Sequence, residues 1–455
     1  MKQITSRDIC EGPLPGNIFK YTFPIIITNM LSLMFNAVDL VMVGRFCGSV
    51  SLAAVGATGS LISLMINLFI GLSIGVCVQT AQSIGAKNSD AVERTVHTGI
   101  ATALCCGVFL TIFSEIFAKY FLVLMDTPEN VLDYAVLYLR IYLSGSIFNL
   151  MYTFVAAVLR AGGDTKTPMY ILLGAGVLNV GLNALFLAVF KMNVEGVAIA
   201  TVISQALSAV LVTIVLLRRR DEIRLRVKNI RFDKVALKKI LYIGLPAGLQ
   251  STLFSISNVF LTSLINSFGD VALTGSTAAQ NIESFVYQAM TAFTQTEQTY
   301  ISQNYGAGNY KRITKVMLVY FAFTCATGLV LGVLVNVFGT SLLGIYITDS
   351  AEAIEYGLIR LRYICGLYLI CGAMEAMNST LRGLGASIIP MTISVFGCGF
   401  RIVFAAYFAK ALQSFDGLFA SYPISWLLTL AGEVVLFLIL RKKLLGHKNA
   451  SIPAA

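Results

Sequence analysis

The sequence predicts an all-α integral membrane protein, with twelve transmembrane helices in two six-helix bundles around a central cleft. The 455-residue chain is 57% hydrophobic and only 12% charged, whereas soluble proteins carry about 25% charged residues. A soluble protein of this length would need far more charged residues to cover its surface. A bilayer is therefore the expected solvent. Long apolar stretches recur along the whole chain, and its two halves resemble each other at a constant offset.

Twelve apolar stretches are long enough to cross a bilayer, because ~30 Å of hydrocarbon requires about 20 helical residues. Several are longer than that, which implies tilt, a kink or projection from the membrane. The predicted spans are residues 19–43, 53–80, 94–118, 132–159, 167–190, 195–217, 238–266, 271–303, 313–340, 354–381, 388–410 and 417–440.

One long polar connector joins the sixth and seventh spans. The segment from Arg218 to Lys239 holds ten of the 33 lysine and arginine residues. Such residues concentrate in cytoplasmic loops, so the connector and both termini are expected on the cytoplasmic side. The formal net charge of +10 therefore indicates topology and contact with anionic lipid, and nucleic acid is not expected as a partner.

The two halves of the chain are an internal repeat. A shift of 222 residues places Pro24 on Pro246 and Gly163 on Gly385. Further matches at this offset, or with a one-residue slip, are Asn36 with Asn258, Leu159-Arg160 with Leu381-Arg382, Gln82 with Gln303, and Gly85-Ala86 with Gly306-Ala307.

The repeat predicts the domain organisation. Six spans per half is an even number, so both halves enter the membrane from the same side and form a parallel repeat about an axis along the membrane normal. We expect a first bundle at residues 1–217, a connector at 218–237, and a second bundle with a short cytoplasmic tail at 238–455. This organisation is typical of transporters whose halves rock about a site near the midplane.

Asp39 lies deep in the first span, where an acid costs ~2.5–3.5 kcal/mol on insertion scales. Its repeat counterpart is Leu261, so the shared architecture does not require it. A desolvated carboxyl suits reversible protonation, and a carboxylate can instead hold Na⁺; a structural acid with local hydrogen bonds is the alternative.

Three polar residues in the fifth and sixth spans are expected near Asp39. Asn179 and Asn183 share one helix face, and Thr201 follows in the next span. We predict an ion- or proton-coupling set of Asp39, Asn179, Asn183 and Thr201, in which Asp39, Asn179 and Thr201 could hold Na⁺. Ordinary interhelical hydrogen bonding is the alternative for the three neutral residues.

The second half has its own acids, Glu283 and Glu375, where the first half has Leu61 and Thr153. Beside aromatic and methionine side chains they would suit a bulky organic cation. The open alternative is an internal pair with Arg401, which would leave less negative charge for a substrate. The predicted substrate-cavity residues are Asn36, Asn258, Gln280, Glu283, Tyr287, Glu375 and Arg401.

The motifs that would indicate an enzyme or an ATP-driven pump are not found in the sequence. No Gly-x-x-x-x-Gly-Lys-Ser/Thr loop is present, so an ion gradient must supply the free energy. The nine cysteines lack the paired spacing of a zinc site. We therefore expect no catalytic activity and no cofactor other than a coupling ion, H⁺ or Na⁺.

Several motifs in this order resemble the multidrug and toxic compound extrusion (MATE) family, over residues 20–441. They are the Asp39-x-x-x-Val43-Gly44 segment and the paired Gln-x-x-Gly-Ala and Leu-Arg-x-x-Gly turns of the two halves. The resemblance implies an antiporter that exports organic cations and other amphipathic compounds in exchange for H⁺ or Na⁺. It also implies Asp39 as the coupling acid, with Asn179 and Thr201 beside it; many members carry a second acid where this chain has Asn183.

The resemblance further implies a bacterial inner-membrane protein, which we expect to be monomeric. A lipid-linked saccharide flippase of the same superfamily is one alternative. It would need cationic residues in its cavity, where the sequence offers mainly Arg401, with Arg140, Arg360 and Arg362 expected nearer the outer half. A non-transporting membrane scaffold is the other alternative, and it would show no solute flux.

Overall fold

The structure is a computed structural model that describes residues 5–125, 127–348 and 350–446. Within these ranges every regular element is a helix and no β-strand occurs, which confirms the all-α prediction. The helices of the first half are α1 (Ser6–Cys10), α2 (Leu14–Phe46), α3 (Ser49–Gly85), α4 (Ser89–Leu124), α5 (Glu129–Ser144), α6 (Ser146–Ala161), α7 (Lys166–Ala184) and α8 (Val194–Arg218).

The second half begins after a short 3₁₀ turn, Val227–Asn229, in the connector. Its helices are α9 (Lys234–Asn266), α10 (Asp270–Gly306), α11 (Tyr310–Val337), α12 (Gly339–Leu343), α13 (Ala351–Ile364), α14 (Tyr368–Gly383), α15 (Ile388–Lys410) and α16 (Phe415–Gly446).

Each of the twelve predicted spans coincides with a long helix or with a pair of consecutive helices. In the described part of the chain, nine single helices and the near-continuous α13–α14 pair are long and apolar enough to cross a membrane, and the α5–α6 pair, bent by 43°, is an eleventh candidate. The twelfth, α10, has 37 residues but a more polar sequence. Its length matches a span, whereas residues such as Gln280, Glu283 and Glu297 lower its apolar character.

The described residues pack into two compact units. The first includes Phe23–Thr252, and the second includes Arg7–Thr22 and the chain from Leu253 onward. Leu72, Val76 and Phe154 belong to the core of the first unit. Met290, Phe419 and Trp426 belong to the core of the second. The bundle boundaries inferred from the repeat remain a prediction.

Equivalent turns of the two halves share an unusual backbone conformation. Gly163 and Gly385, each just after a Leu-Arg pair, have φ values of 94° and 85°. Gly48 and Gly269, which precede α3 and α10, have φ values of 84° and 97°. Only glycine adopts these values without strain, so the sequence repeat is also a repeat of local structure.

The connector is held against α4 by hydrogen bonds. The backbone N–H of Arg226 donates to His97 Nε2 at 3.0 Å, and Asn229 Nδ2 donates to Glu93 Oε1 at 2.7 Å. The backbone N–H of Asp233 donates to Thr98 Oγ1 at 3.0 Å. His97 therefore has a structural partner in the connector.

Large apolar side chains cover much of the outer surface. Phe396 is 74% exposed, Ile345 73% and Val337 70%. Soluble monomers rarely expose apolar surface on this scale, so these side chains are suited to face acyl chains.

Candidate functional site

Helices α2, α7 and α8 of the first unit bring together the four residues predicted to couple an ion. Asn179 and Asn183 are four residues apart on α7 and project from the same face. Directly after α7, the chain continues as a π-helical turn, Leu185–Val189. Such turns are rare and occur frequently at functional sites.

The Asp39 carboxyl accepts its shortest hydrogen bond from Asn183. The Asn183 Nδ2 group donates to Asp39 Oδ1 at 2.6 Å and to Asn179 Oδ1 at 3.3 Å. Asn179 Nδ2 in turn donates to Thr201 Oγ1 at 3.4 Å. Asn183 is completely buried, so bulk solvent does not compete for its amide group.

Thr201 completes the group with a weaker contact. Its hydroxyl donates to the Val197 carbonyl at 2.9 Å and lies 3.5 Å from Asp39 Oδ2. The single hydroxyl proton cannot serve both acceptors well. Asn183 Oδ1 is buried and has no hydrogen-bond partner. The cluster thus presents oxygen atoms that a small cation could use.

Asp39 and its neighbours line a cavity of about 280 Å³ inside the first unit. Asn36, which the sequence predicts for the substrate cavity, lines this cavity together with Asp39. Sequence reasoning did not identify several other lining residues. They are Ser32, Tyr142, Asn149, Tyr152, Thr153, Ser204, Gln205 and Ser208.

Part of this wall could have been found from helical periodicity. Ser204, Gln205 and Ser208 follow Thr201 by three, four and seven residues, which is the spacing of one helix face. Tyr142 gives no such signal, because it lies on α5 and reaches the site only through tertiary packing.

In the second unit, Glu283 is paired with a residue that the sequence did not indicate. Arg360 Nε donates to Glu283 Oε2 at 3.1 Å, and Arg360 also donates to Glu283 Oε1 and to Ser276. The alternative of a Glu283–Arg401 pair is therefore wrong. Glu283 and Arg360 are 77 positions apart and carry no pattern that relates them.

Arg401 has a different, mainly aromatic environment. It is 4% exposed and donates to Ser257 Oγ at 2.8 Å. Its guanidinium lies 4.8 Å from the Tyr422 ring centroid and 5.8 Å from that of Phe254. Cation–π contacts thus hold this buried charge.

The other predicted cavity residues of the second unit divide into two sets. Tyr287 donates its hydroxyl to Glu375 Oε1 at 3.3 Å, which joins two of them. Asn258 and Gln280 have exposed side chains. Glu283 and Tyr287 lie one turn apart on the same face of α10. Glu283 is paired with Arg360, whereas Tyr287 is bonded to Glu375.

Among the described residues, no group of three or more His, Cys, Asp or Glu side chains is arranged to hold a metal ion. The Asp39 cluster offers one acid and neutral amide and hydroxyl oxygens. Such ligands suit hard cations and not the soft transition metals. This chemistry fits a proton or Na⁺.

Comparison with known proteins identifies the family. The MatE family model matches the chain twice, over residues 24–185 and 246–407. The two matched ranges begin 222 residues apart, which is the offset of the internal repeat. Together they cover well over half of the chain.

Similar proteins and structures cover nearly the full length. The probable multidrug resistance protein YoeA of Bacillus subtilis (strain 168) is 29% identical over 421 residues, which is 90% of each chain. The probable multidrug resistance protein NorM of Thermotoga maritima is 26% identical, over 83% of this chain and 82% of the relative.

A crystal structure of a MATE protein in the bent conformation superposes with a TM-score of 0.89 at 20% identity, covering 98% of this chain and 99% of that one. This similarity confirms the predicted fold of a multi-pass helical membrane protein, and the double family match confirms its two repeated halves. The chain belongs to the MATE family of membrane transporters.

Proposed function

We propose that this transporter is a multidrug efflux antiporter, which exports organic cations and amphipathic compounds by alternating access in exchange for H⁺ or Na⁺ bound at Asp39. Relatives named as multidrug resistance proteins support the substrate class. The geometry around Asp39 supports the coupling site. In the described part of the chain, no lysine, arginine or histidine forms an ion pair with this acid.

The proposal rests on three features at Asp39. Asn183 donates a hydrogen bond to it from a buried position, Asn183 Oδ1 is an unpaired acceptor, and a cavity adjoins the acid. A fixed ion pair would cancel the charge of Asp39 permanently. Here Asn183 orients the carboxyl through a 2.6 Å bond, and Asn183 Oδ1 remains available. An incoming cation can therefore neutralise the carboxyl and leave again.

The free energy available to such an exchange is sufficient for efflux. One charge that moves inward gains ~2.3 kcal/mol per 100 mV of membrane potential. A tenfold substrate gradient costs ~1.4 kcal/mol. Occupancy of Asp39 by the ion and occupancy of the cleft by the drug would favour oppositely facing states, which couples the two fluxes.

The acids of the second half have unequal roles in this proposal. Arg360 neutralises Glu283 within the unit, so Glu283 offers little net charge to a substrate. Glu375 receives a hydroxyl hydrogen bond from Tyr287. This acid and the aromatic ring suit an organic cation, through charge and cation–π attraction. We propose Glu375 and Tyr287 as the substrate contacts of this half, in a monomeric protein of the bacterial inner membrane.

The test uses the purified protein in proteoliposomes with an imposed H⁺ or Na⁺ gradient, one at a time, and follows ethidium export by fluorescence. We expect Asp39→Asn to abolish gradient-driven export without preventing folding, because a neutral amide cannot exchange a cation. Asp270→Asn changes an exposed acid at the start of α10 and is the matched control, with wild-type export expected.

Full activity in the Asp39→Asn protein would refute the coupling role of this residue. Export of the dye under neither gradient by the wild-type protein would instead favour the flippase or scaffold alternative. The gradient that drives export identifies the coupling ion.

A further inference from the structure

The second unit contains a buried acid that the Asp39 site does not use. Glu297 of α10 is completely buried. Its Oε1 atom accepts a hydrogen bond from Thr380 Oγ1 of α14 at 2.7 Å. Its Oε2 atom is buried and has no hydrogen-bond partner. Within the described chain, no basic side chain forms an ion pair with this carboxyl.

A carboxylate in this environment needs a neutralising partner. Burial of an isolated charge is so unfavourable that the group is found protonated, paired or bound to a cation. Glu297 has no paired side chain, so a proton or a bound cation must supply the compensating positive charge. The unpaired Oε2 atom is the place where either would be held.

Helix α11 packs beside this part of α10, because the Tyr320 ring lies 5.5 Å from that of Tyr300, one turn from Glu297. Thr324 lies one turn further along α11. Thr324 is fully buried, and its Oγ1 atom has no hydrogen-bond partner. A carboxylate and a threonine hydroxyl, such as those of Glu297 and Thr380, are hard oxygen ligands of the kind that small alkali cations accept.

The corresponding positions of the first unit show that the fold does not require these polar groups. With the one-residue slip of the repeat, Glu297 corresponds to Val76, Tyr320 to Gly99 and Thr324 to Ala103. At the offset of 222, Thr380 corresponds to Val158.

The first-unit residues of this set form an ordinary apolar contact. A Cβ atom added at Gly99 would meet the Val76 side chain at 2.9 Å, so these two positions are neighbours, as their counterparts are in the second unit. Val76, Ala103 and Val158 are completely buried. A packed apolar cluster in one half has become a buried polar cluster in the other.

An aromatic layer closes one side of the polar cluster. The rings of Tyr300 and Tyr320 lie 5.5 Å apart, as do those of Tyr21 and Tyr300. Thr22 lies 3.0 Å from Thr296, hydroxyl to hydroxyl. Residues 7–22 belong to the second unit, so the start of α2 packs beside residues that flank Glu297 on α10.

We propose that Glu297, with Thr380, forms a second site for an exchangeable monovalent cation, Na⁺ or H⁺, distinct from Asp39. This inference rests on the proposed antiport and extends it, because the transporter would then exchange two cations in each cycle. The two acids occupy different units and different repeat positions. Each can therefore be removed without the other.

The experiment counts cations on the purified full-length protein in detergent. One arm measures equilibrium binding of ²²Na⁺, and the other measures the protons released when tetraphenylphosphonium saturates the unbuffered protein. In the arm that reports the coupling ion, we expect Glu297→Gln and Asp39→Asn each to lower the count by about half. The double variant should bind or release none. The two arms distinguish Na⁺ from H⁺.

Asp270→Asn is the control in the same unit. Asp270 is an exposed acid at the start of α10, so the count should stay at the wild-type value. A single symmetric elution peak verifies that each variant is folded.

Thr380→Val keeps the carboxyl and introduces the residue of the first unit, and it serves if Glu297→Gln fails to fold. We expect it to weaken Na⁺ binding several-fold, because a hydroxyl ligand is lost, or to strengthen H⁺ binding by a similar factor, because the hydroxyl bond stabilises the ionised carboxyl. An unchanged count in both arms for Glu297→Gln, or unchanged affinity for Thr380→Val, would overturn the second site. If only Asp39→Asn lowers the count, the antiport proposal stands and this inference fails.

Discussion

At the scale of single residues, Asn183 contributes more to the Asp39 site than Thr201 does. Asn183 donates at 2.6 Å from a fully buried position, whereas the Thr201 hydroxyl is engaged with Val197 and lies 3.5 Å from the carboxyl. We expect Asn183→Leu to change the apparent affinity for the coupling ion about tenfold, or ~1.4 kcal/mol. The affinity should fall for Na⁺, because the carboxyl is no longer oriented, and rise for H⁺, because the bond from Asn183 stabilises the ionised carboxyl. Thr201→Val should change it in the same direction by about threefold or less.

The measurement is the ion-concentration dependence of efflux in proteoliposomes, with both variants prepared in parallel. Equal effects of the two substitutions, or a larger effect of Thr201→Val, would contradict this order. Such a result would mean that the hydroxyl turns from the Val197 carbonyl to the ion during transport.

Site residues could be predicted from the sequence where they lie close together along the chain. The four residues at Asp39 could be grouped because Asn179 and Asn183 are one turn apart and Asp39 interrupts an apolar run. Glu283 could be recognised as an unusual acid, but its partner Arg360 could not be identified. Sequence carries no signal for a contact between two helices that are distant along the chain. The same holds for Tyr142 and for the Thr380 bond to Glu297.

At the scale of helices, α3 and α9 meet through glycines within the first unit. A Cβ atom at Gly71 would overlap the backbone of Gly248, and one at Gly75 would overlap the carbonyl of Ile240. A Cβ atom at Gly244 would lie 2.7 Å from the Leu72 Cα atom. These contacts involve backbone atoms, which cannot rotate aside, so the helices approach as closely as glycine allows.

We predict that Gly248→Ala destabilises the protein by about 1–3 kcal/mol, because the added methyl group forces the two helices apart. Gly59→Ala, also on α3, is the matched control, since nothing lies within 4 Å of its added Cβ atom. Helix propensity alone would make that change neutral or stabilising, by up to about 1 kcal/mol. Thermal unfolding of the two purified variants measures the difference. Equal unfolding temperatures would show that the crossing has room to adapt.

The helices could be predicted where a long apolar stretch of sequence marks them. The twelve spans were located, but the break between α5 and α6 and the π-helical turn after α7 were not, because both depend on tertiary packing. In α10, by contrast, the sequence is polar although the structure buries several of its polar residues. Its acids lower its apolar character, while the structure buries Glu297 against two other helices and pairs Glu283 with Arg360.

At the scale of the whole molecule, the repeat was the most informative feature of the sequence. Its offset of 222 residues is also the separation of the two family matches, and Gly163 and Gly385 occupy equivalent turns. The boundaries between the two compact units fall within α2 and α9, after Thr22 and Thr252. No composition change marks these points, because the helices continue through them, and sequence-based boundaries follow loops instead.

Orientation in the membrane is the last property that the charge pattern predicts. The connector from Arg218 to Lys239 carries ten basic residues, whereas the loop between the π-helical turn and α8 carries only Lys191. Translocation of so many positive charges is disfavoured. We therefore expect a green fluorescent protein at the C-terminus to fluoresce, and alkaline phosphatase to be active after Lys191 but inactive after Asp221. Active phosphatase after Asp221 would show that the connector lies outside, and the proposed direction of coupling at Asp39 would then be reversed.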